Sequence, residues 1–147
     1  MAALKKFLDT YVLYLAWLVS FLATFGSLYY SEVAHFLPCL LCWYQRICMY
    51  PILVLLTVGI IRKDKVHLPY YILPLSIIGA LIAFYQNLLV WGVVNEAVAP
   101  CTAGVSCTTK YVNYLGFITI PLLSLAAFVI ITISLIYFMR RNKPSKK

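Results

Sequence analysis

Four long apolar runs constrain this chain more than any other feature. They extend over about residues 9–30, 43–61, 70–91 and 117–139. Each is close to the ~20 residues that cross a hydrocarbon core of ~30 Å. The first carries no charge between Tyr11 and Tyr30. With 64% of residues hydrophobic and 11% charged, a soluble fold of 147 residues lacks the polar side chains to cover its surface. The expectation is an all-α integral membrane protein. Its architecture would be a four-transmembrane-helix bundle, one domain over residues 1–147.

A net charge of +8 raises nucleic acid as a partner, and the placement of the charge argues against it. Lys5 and Lys6 precede the first run. Arg62, Lys63 and Lys65 fill the break after the second. Arg140, Arg141, Lys143, Lys146 and Lys147 follow the fourth. Basic clusters beside apolar runs are what the positive-inside rule produces. They put both termini and the Arg62–Lys65 break in the cytoplasm. Two extracytoplasmic loops result, Ser31–Leu41 and Gly92–Gly116. Glu32 and Glu96 fall in these loops, and Arg46 and Lys110 are the only basic residues on that side.

Tyr11, Tyr29, Tyr30, Trp43, Tyr44, Tyr70, Tyr71, Trp91 and Tyr137 sit near run ends, as interfacial anchors do. The first run exceeds a signal-peptide core and lacks a small-residue cleavage site, so it reads as a retained helix. Pro51, Pro74 and Pro121 fall within runs, where membrane helices tolerate them. Gly59, Gly79 and Ala80 read as close-packing positions. The Asn142–Lys147 tail reads as short, basic and disordered.

The chemistry concentrates in Cys39-Leu40-Leu41-Cys42-Trp43-Tyr44-Gln45-Arg46. Cys39 and Cys42 form a C-x-x-C pair beside the first outer loop. Cys101 and Cys107 lie in the second outer loop, on the same side. Disulfides persist in an extracytoplasmic compartment. Three readings of these four cysteines compete: two redox-active pairs, structural disulfides, or a tetrahedral zinc site. A C-x-x-C bridge closes too small a loop to stabilise a fold much, whereas one thiol attacking while its neighbour resolves is the usual form of dithiol exchange.

Arg46 favours the redox reading. A helix starting near Cys39 and ending at Ile61 is ~33 Å long. Cys42 then falls at the outer membrane boundary, with Arg46 ~6 Å deeper. Cys42, Gln45, Arg46 and Met49 share one helical face. A cation one turn below, and a helix N-terminus, would both favour a Cys42 thiolate. An arginine at that depth marks a functional site by default. Cys48 lies on another face and reads as a small buried hydrophobe. His35 and His67 read as surface residues. Gln86 and Asn87 in the third run read as helix-packing amides rather than cofactor contacts.

Pro38-Cys39-Leu40-Leu41-Cys42 with Gln45-Arg46 resembles the signature of DsbB-type disulfide oxidoreductases. The resemblance extends over the whole chain, in its four spans, its second outer cysteine pair, and Leu115-Gly116-Phe117 with Pro121 before the fourth helix. It is nearest to the short BdbC-type branch. It implies a bacterial plasma-membrane enzyme that reoxidises a DsbA-like, thioredoxin-fold thiol oxidase and so supports disulfide formation in secreted proteins. The partner's thiol would attack the Cys101–Cys107 pair, with Cys101 forming the mixed disulfide. Electrons would pass to Cys39–Cys42 and on to a bound quinone, ubiquinone or menaquinone, which feeds the respiratory chain. Cys42 would meet the quinone, with Arg46 beside its oxygen. Gln45 is a further candidate for cofactor contact, at a position that is acidic in some members. No metal is implied.

Two features set limits on the resemblance. Longer members separate the second pair by a long loop, and here only Thr102–Ser106 intervenes. Vitamin K epoxide reductase-like proteins also combine a C-x-x-C with loop cysteines, but there the loop pair comes first in sequence. A non-enzymatic membrane scaffold with structural disulfides or zinc is the remaining alternative.

Overall fold

Each apolar run becomes one helix, because a backbone in hydrocarbon has to satisfy its own hydrogen bonds. The computed structural model describes residues 2–63, 67–95, 107 and 119–141. Its helices are α1 (Ala2–Glu32), α2 (Leu40–Arg62), α3 (Leu68–Val90) and α4 (Ile120–Arg141). All four contain a stretch of 22 or 23 residues long and apolar enough to cross a membrane. The segment 142–147, expected to be disordered, lies outside the described residues.

The helix ends differ from the expected spans for local reasons. α2 begins at Leu40 rather than near residue 43, because Cys39 caps it with extended backbone and a sulfur that accepts the Cys42 N–H at 3.4 Å. Capping moves the start onto the cysteine pair itself. At its far end Lys63 takes a left-handed conformation, and its N–H closes on Gly59 and Ile60 carbonyls. α3 opens with Pro69 in its first turn, where a missing N–H costs nothing. α4 starts at Ile120 instead of 117; Thr119 is not helical, and residues 117–118 are outside the described set. Pro121 is therefore a first-turn residue, while Pro51 and Pro74 lie inside α2 and α3.

The helices form a ring: α1 and α3 each pack on both α2 and α4. The core holds Ala16, Ile52, Leu56, Ile72, Ala83, Phe128 and Ile131, with Cys48 buried among them as expected. Most of the aromatic anchors are exposed, Trp43, Tyr70, Tyr71 and Trp91 at helix ends and Tyr11 where the apolar stretch of α1 begins, while Tyr30 is half-buried. Leu22, Val54, Leu81 and Ile133 are also exposed, an outer face suited to lipid. Side-chain hydrogen bonds tie neighbours together: Trp17 Nε1 to Thr57 Oγ1 at 2.9 Å, Thr132 Oγ1 to Ser76 Oγ at 3.0 Å, and Asn87 Nδ2 to the Pro121 carbonyl at 3.0 Å. Asn87 thus packs α3 on α4, as its position in the run suggested.

The small residues work as expected. A Cβ on Gly79 would collide with the Phe128 ring of α4, and one on Gly59 with the Leu68 side chain. Phe128 is fully buried and has no free direction in which to move. Gly79→Ala should lower thermal stability in detergent by about 1–3 kcal/mol, the usual cost of overpacking. Gly26→Ala should not, since its Cβ would meet nothing within 4 Å. Overlapping melting curves for Gly79→Ala and wild type would overturn this account of the α3–α4 contact.

Candidate functional site

The Cys39 cap brings two sulfurs to the first turn of α2. Cys39 Sγ and Cys42 Sγ are 2.7 Å apart, both as thiols. Closing the bond requires an approach of only about 0.7 Å, to the ~2.05 Å of a disulfide. Helix N-termini favour negative charge, so the local backbone suits a thiolate.

The two cysteines have different surroundings. Cys39 is buried, 6% exposed, in a small cluster with Leu41, Leu89 and Cys107. The Cys39 thiol is pushed well above the ordinary cysteine range, first by the hydrogen bond it shares with Cys42 and then by burial. Cys42 is half-buried and borders a cavity. Gln86 of α3 spans the pair: its Nε2 donates to Cys39 Sγ at 3.3 Å and to Cys42 Sγ at 3.4 Å. Gln86 is itself oriented by Gln45, whose Nε2 donates to Gln86 Oε1 at 2.6 Å, while Ser124 of α4 donates to Gln45 Oε1 at 2.6 Å.

Arg46 lies one turn below Cys42. Its Nε donates to Ser27 Oγ and its Nη2 to the Ser27 carbonyl, both at 2.9 Å, and its Nη1 reaches Ser31 Oγ at 3.4 Å. The guanidinium also stands 5.5 Å from the centre of the Trp43 ring, within cation–π range. These contacts draw it inward against α1, rather than outward along the helix as a snorkelling residue. Among the described residues three of its five N–H groups are engaged, which leaves two for an acceptor.

The cavity has a volume of about 440 Å³ and lies among α1, α2 and α4. Its walls are mostly apolar, including Leu22, Ile120, Pro121 and Ile130. Cys42, Gln45, Arg46 and Met49 all line it, so the face expected from i+3/i+4 spacing is the face that forms the wall. An apolar cavity of this size with a few convergent polar groups is the form of a small-molecule site.

Of the second pair, Cys107 is buried and disulfide-bonded. Cys101 lies outside the described residues. A zinc site built from all four cysteines would need four thiolates, and the Cys107 sulfur is committed to a disulfide. His35 and His67 are exposed, as expected. Gln86 is the residue that sequence reasoning underweighted. Its signal was an uncharged amide deep in an apolar run, but the sequence does not reveal which helix that amide faces.

The chain matches the family model "Disulfide bond formation protein DsbB" over residues 9–138. It is similar to disulfide bond formation protein C of Bacillus subtilis, 45% identical over 82% of this chain and 87% of that protein. It is also similar to a probable disulfide formation protein of Metapseudomonas resinovorans, 41% identical over 90% of this chain and 92% of that one. No solved structure matches the chain.

The asymmetry of the pair has a measurable consequence. A raised Cys39 keeps its proton through neutral and mildly alkaline pH, where alkylating agents need a thiolate. Iodoacetamide at pH 8, followed by peptide mass spectrometry, should label Cys42 well ahead of Cys39. The labelling rate at Cys39 should still be climbing beyond pH 9. Equal rates at the two positions, or a Cys39 rate that levels off near neutrality, would contradict this.

Proposed function

The chain belongs to the DsbB family of disulfide bond formation proteins, and from that premise we propose that it reoxidises a DsbA-like thiol oxidase and hands the electrons to a membrane quinone. Membership makes it a multi-pass bacterial membrane oxidoreductase of disulfide bond formation. One observation carries the finer reading: Cys39 packs in a cluster with the disulfide-bonded Cys107, while its partner Cys42 borders an apolar cavity. The pair lies between a protein-side disulfide and a lipid-soluble acceptor's site.

The residues fit a quinone. A flat ring with carbonyl acceptors and an apolar tail needs an apolar slot with donors at one end. The cavity has greasy walls, a guanidinium with N–H groups to spare, and a sulfur. Arg46 would hold a carbonyl oxygen, and Gln45, whose amide already bonds Ser124 and Gln86, would border the ring. When bound, a quinone supplies a two-electron, two-proton acceptor. The basic ends of α2 and α4, Arg62 and Arg140–Arg141, support an extracytoplasmic position for the cysteines.

Two balanced exchanges would precede that transfer. A thiolate of the reduced partner attacks the Cys101–Cys107 disulfide, Cys101 taking the mixed bond. The partner's second thiol displaces it, and the partner leaves oxidised by two electrons. Cys101 and Cys107 are then thiols. A second exchange forms their disulfide again and reduces the Cys39–Cys42 disulfide to the dithiol. Cys39 is the contact on the protein side, because it shares a cluster with Cys107. Cys42 is the exit on the cavity side. Cys39 holds its proton, and the two sulfurs share a hydrogen bond at 2.7 Å, so Cys42 is the sulfur that an acceptor in the cavity would meet. Arg46 holds positive charge one turn away, where an acceptor oxygen gaining charge would be stabilised.

Cys39→Ser and Cys42→Ser should each abolish oxidation of a DsbA-like protein by added quinone in detergent. Arg46→Ala should leave the fold intact and raise the apparent KM for quinone tenfold or more, the loss of a charge-assisted hydrogen bond of ~1.5–3 kcal/mol. Full turnover in either serine variant would sink the proposal, and an unchanged quinone KM would remove Arg46 from it.

A further inference from the structure

Three helices contribute one side chain each to a continuous donor chain that ends on the sulfurs. Ser124 Oγ (α4) donates to Gln45 Oε1 at 2.6 Å; Gln45 Nε2 (α2) donates to Gln86 Oε1 at 2.6 Å; Gln86 Nε2 (α3) donates to Cys39 Sγ at 3.3 Å and Cys42 Sγ at 3.4 Å. We propose that Ser124, Gln45 and Gln86 are positioning residues that set the oxidising power of the Cys39–Cys42 pair by fixing an amide N–H on its sulfurs. The inference rests on the reading of Cys39–Cys42 as a working redox pair.

The direction of the chain is what gives it an effect. An amide has an accepting and a donating end, and in isolation either could face the sulfurs. Gln45 removes that freedom, because its own Nε2 occupies Gln86 Oε1 and leaves only Nε2 for the cysteines. Gln45 is fixed in turn because its Oε1 is held by the Ser124 hydroxyl. Gln45 is 6% exposed and Gln86 2%, so these bonds are largely shielded from bulk water. Bonds aligned head to tail polarise one another.

An N–H aimed at sulfur stabilises the reduced, charge-bearing pair over the disulfide, which has little charge for it to meet. A dithiol stabilised in this way makes its disulfide a stronger oxidant, the principle behind the most oxidising thiol pairs. A pair that must accept electrons from another disulfide centre requires that bias. Gln86 contacts both sulfurs at once, so the bias covers charge on either. Ser124 influences the pair through two intervening amides and touches neither cysteine.

The test is an equilibrium measurement on the full-length protein in detergent, without quinone or partner. Two glutathione molecules reduce the Cys39–Cys42 disulfide to the dithiol and leave as glutathione disulfide. The reduced fraction is read by alkylation and peptide mass spectrometry across glutathione ratios. Gln86→Leu should shift the equilibrium about tenfold toward the disulfide, about 30 mV for a two-electron couple. Ser124→Ala should shift it the same way by about twofold, the share expected when one remote bond polarises the next by 10–30%. Ser124→Thr, which keeps the hydroxyl, should restore the wild-type value.

A purely structural role would lower thermal stability and leave the equilibrium where it was. A folded Gln86→Leu protein with the wild-type equilibrium overturns the proposal. So does a Ser124→Ala equilibrium equal to wild type, or a shift that threonine fails to restore. If Gln86→Leu does not fold, the alanine and threonine variants at the half-buried Ser124 decide it alone. Failure of the quinone reading would show separately, as wild-type protein that does not turn over with quinone while these equilibria still move.

Discussion

Hydrocarbon surrounds this bundle, and a polar group left unpaired in it costs several kcal/mol. The arrangement of the site follows from that constraint. Arg46 cannot remain against lipid, so it turns to Ser27 and Ser31 of α1 and thereby sets the rotation of α2 about its axis. With that rotation fixed, Gln45 faces inward, where Gln86 and Ser124 are the groups able to satisfy it. The polar residues act as register pins, and the apolar contacts fill in around them. Without a hydrophobic drive between helices in lipid, packing depends on close fit and on such bonds. Gly79 against Phe128 supplies the fit on the α3–α4 side, and Asn87 bonded to the Pro121 carbonyl supplies the bond.

Much of this could be read in the residues. Apolar run lengths gave four helices, and helical spacing put Cys42, Gln45, Arg46 and Met49 on one wall. The apolar run alone put the second span near residue 43, while the helix rise argued from a start near Cys39, which is where the Cys39 cap sets it; the sulfur's capping role had no sign in the run. Gln86 was harder still. Periodicity shows which residues of α3 share a face, but in a helix apolar on nearly every side it does not show which face meets α2. The amide was visible; its target was not. Clusters built from segments far apart in sequence, such as the one that holds both Cys39 and Cys107, have no local signature at all.

That last cluster bears on how a short outer loop can serve a relay. Only Thr102–Ser106 separates the second cysteines, which limits how far the loop can extend. Burial of Cys107 beside Cys39 and Leu89 removes the need for reach on the inner side. The proposed second exchange would then be a local event within one cluster, and proximity of this kind replaces a bimolecular encounter by an intramolecular one. In that reading the loop would have only to meet the proposed soluble partner, a task at the membrane surface rather than within it.

The proposed electron flow also needs a direction, and the two faces of the cysteine pair offer one. On one side Cys39 is sealed by Leu41, Leu89 and Cys107, in surroundings that keep it protonated and closed to water. On the other, Cys42 opens onto a cavity that offers a cation and apolar walls. In the proposed relay the soluble partner would act on the Cys101–Cys107 pair, and a lipid-soluble acceptor would enter from the cavity side. Each reagent would then be kept to its own side of the Cys39–Cys42 pair by where it dissolves. The proposed relay would then need no moving gate to keep the partner and the acceptor apart; partition between water and hydrocarbon would do the sorting, and the 2.7 Å between the Cys39 and Cys42 sulfurs would be the step that joins the two sides.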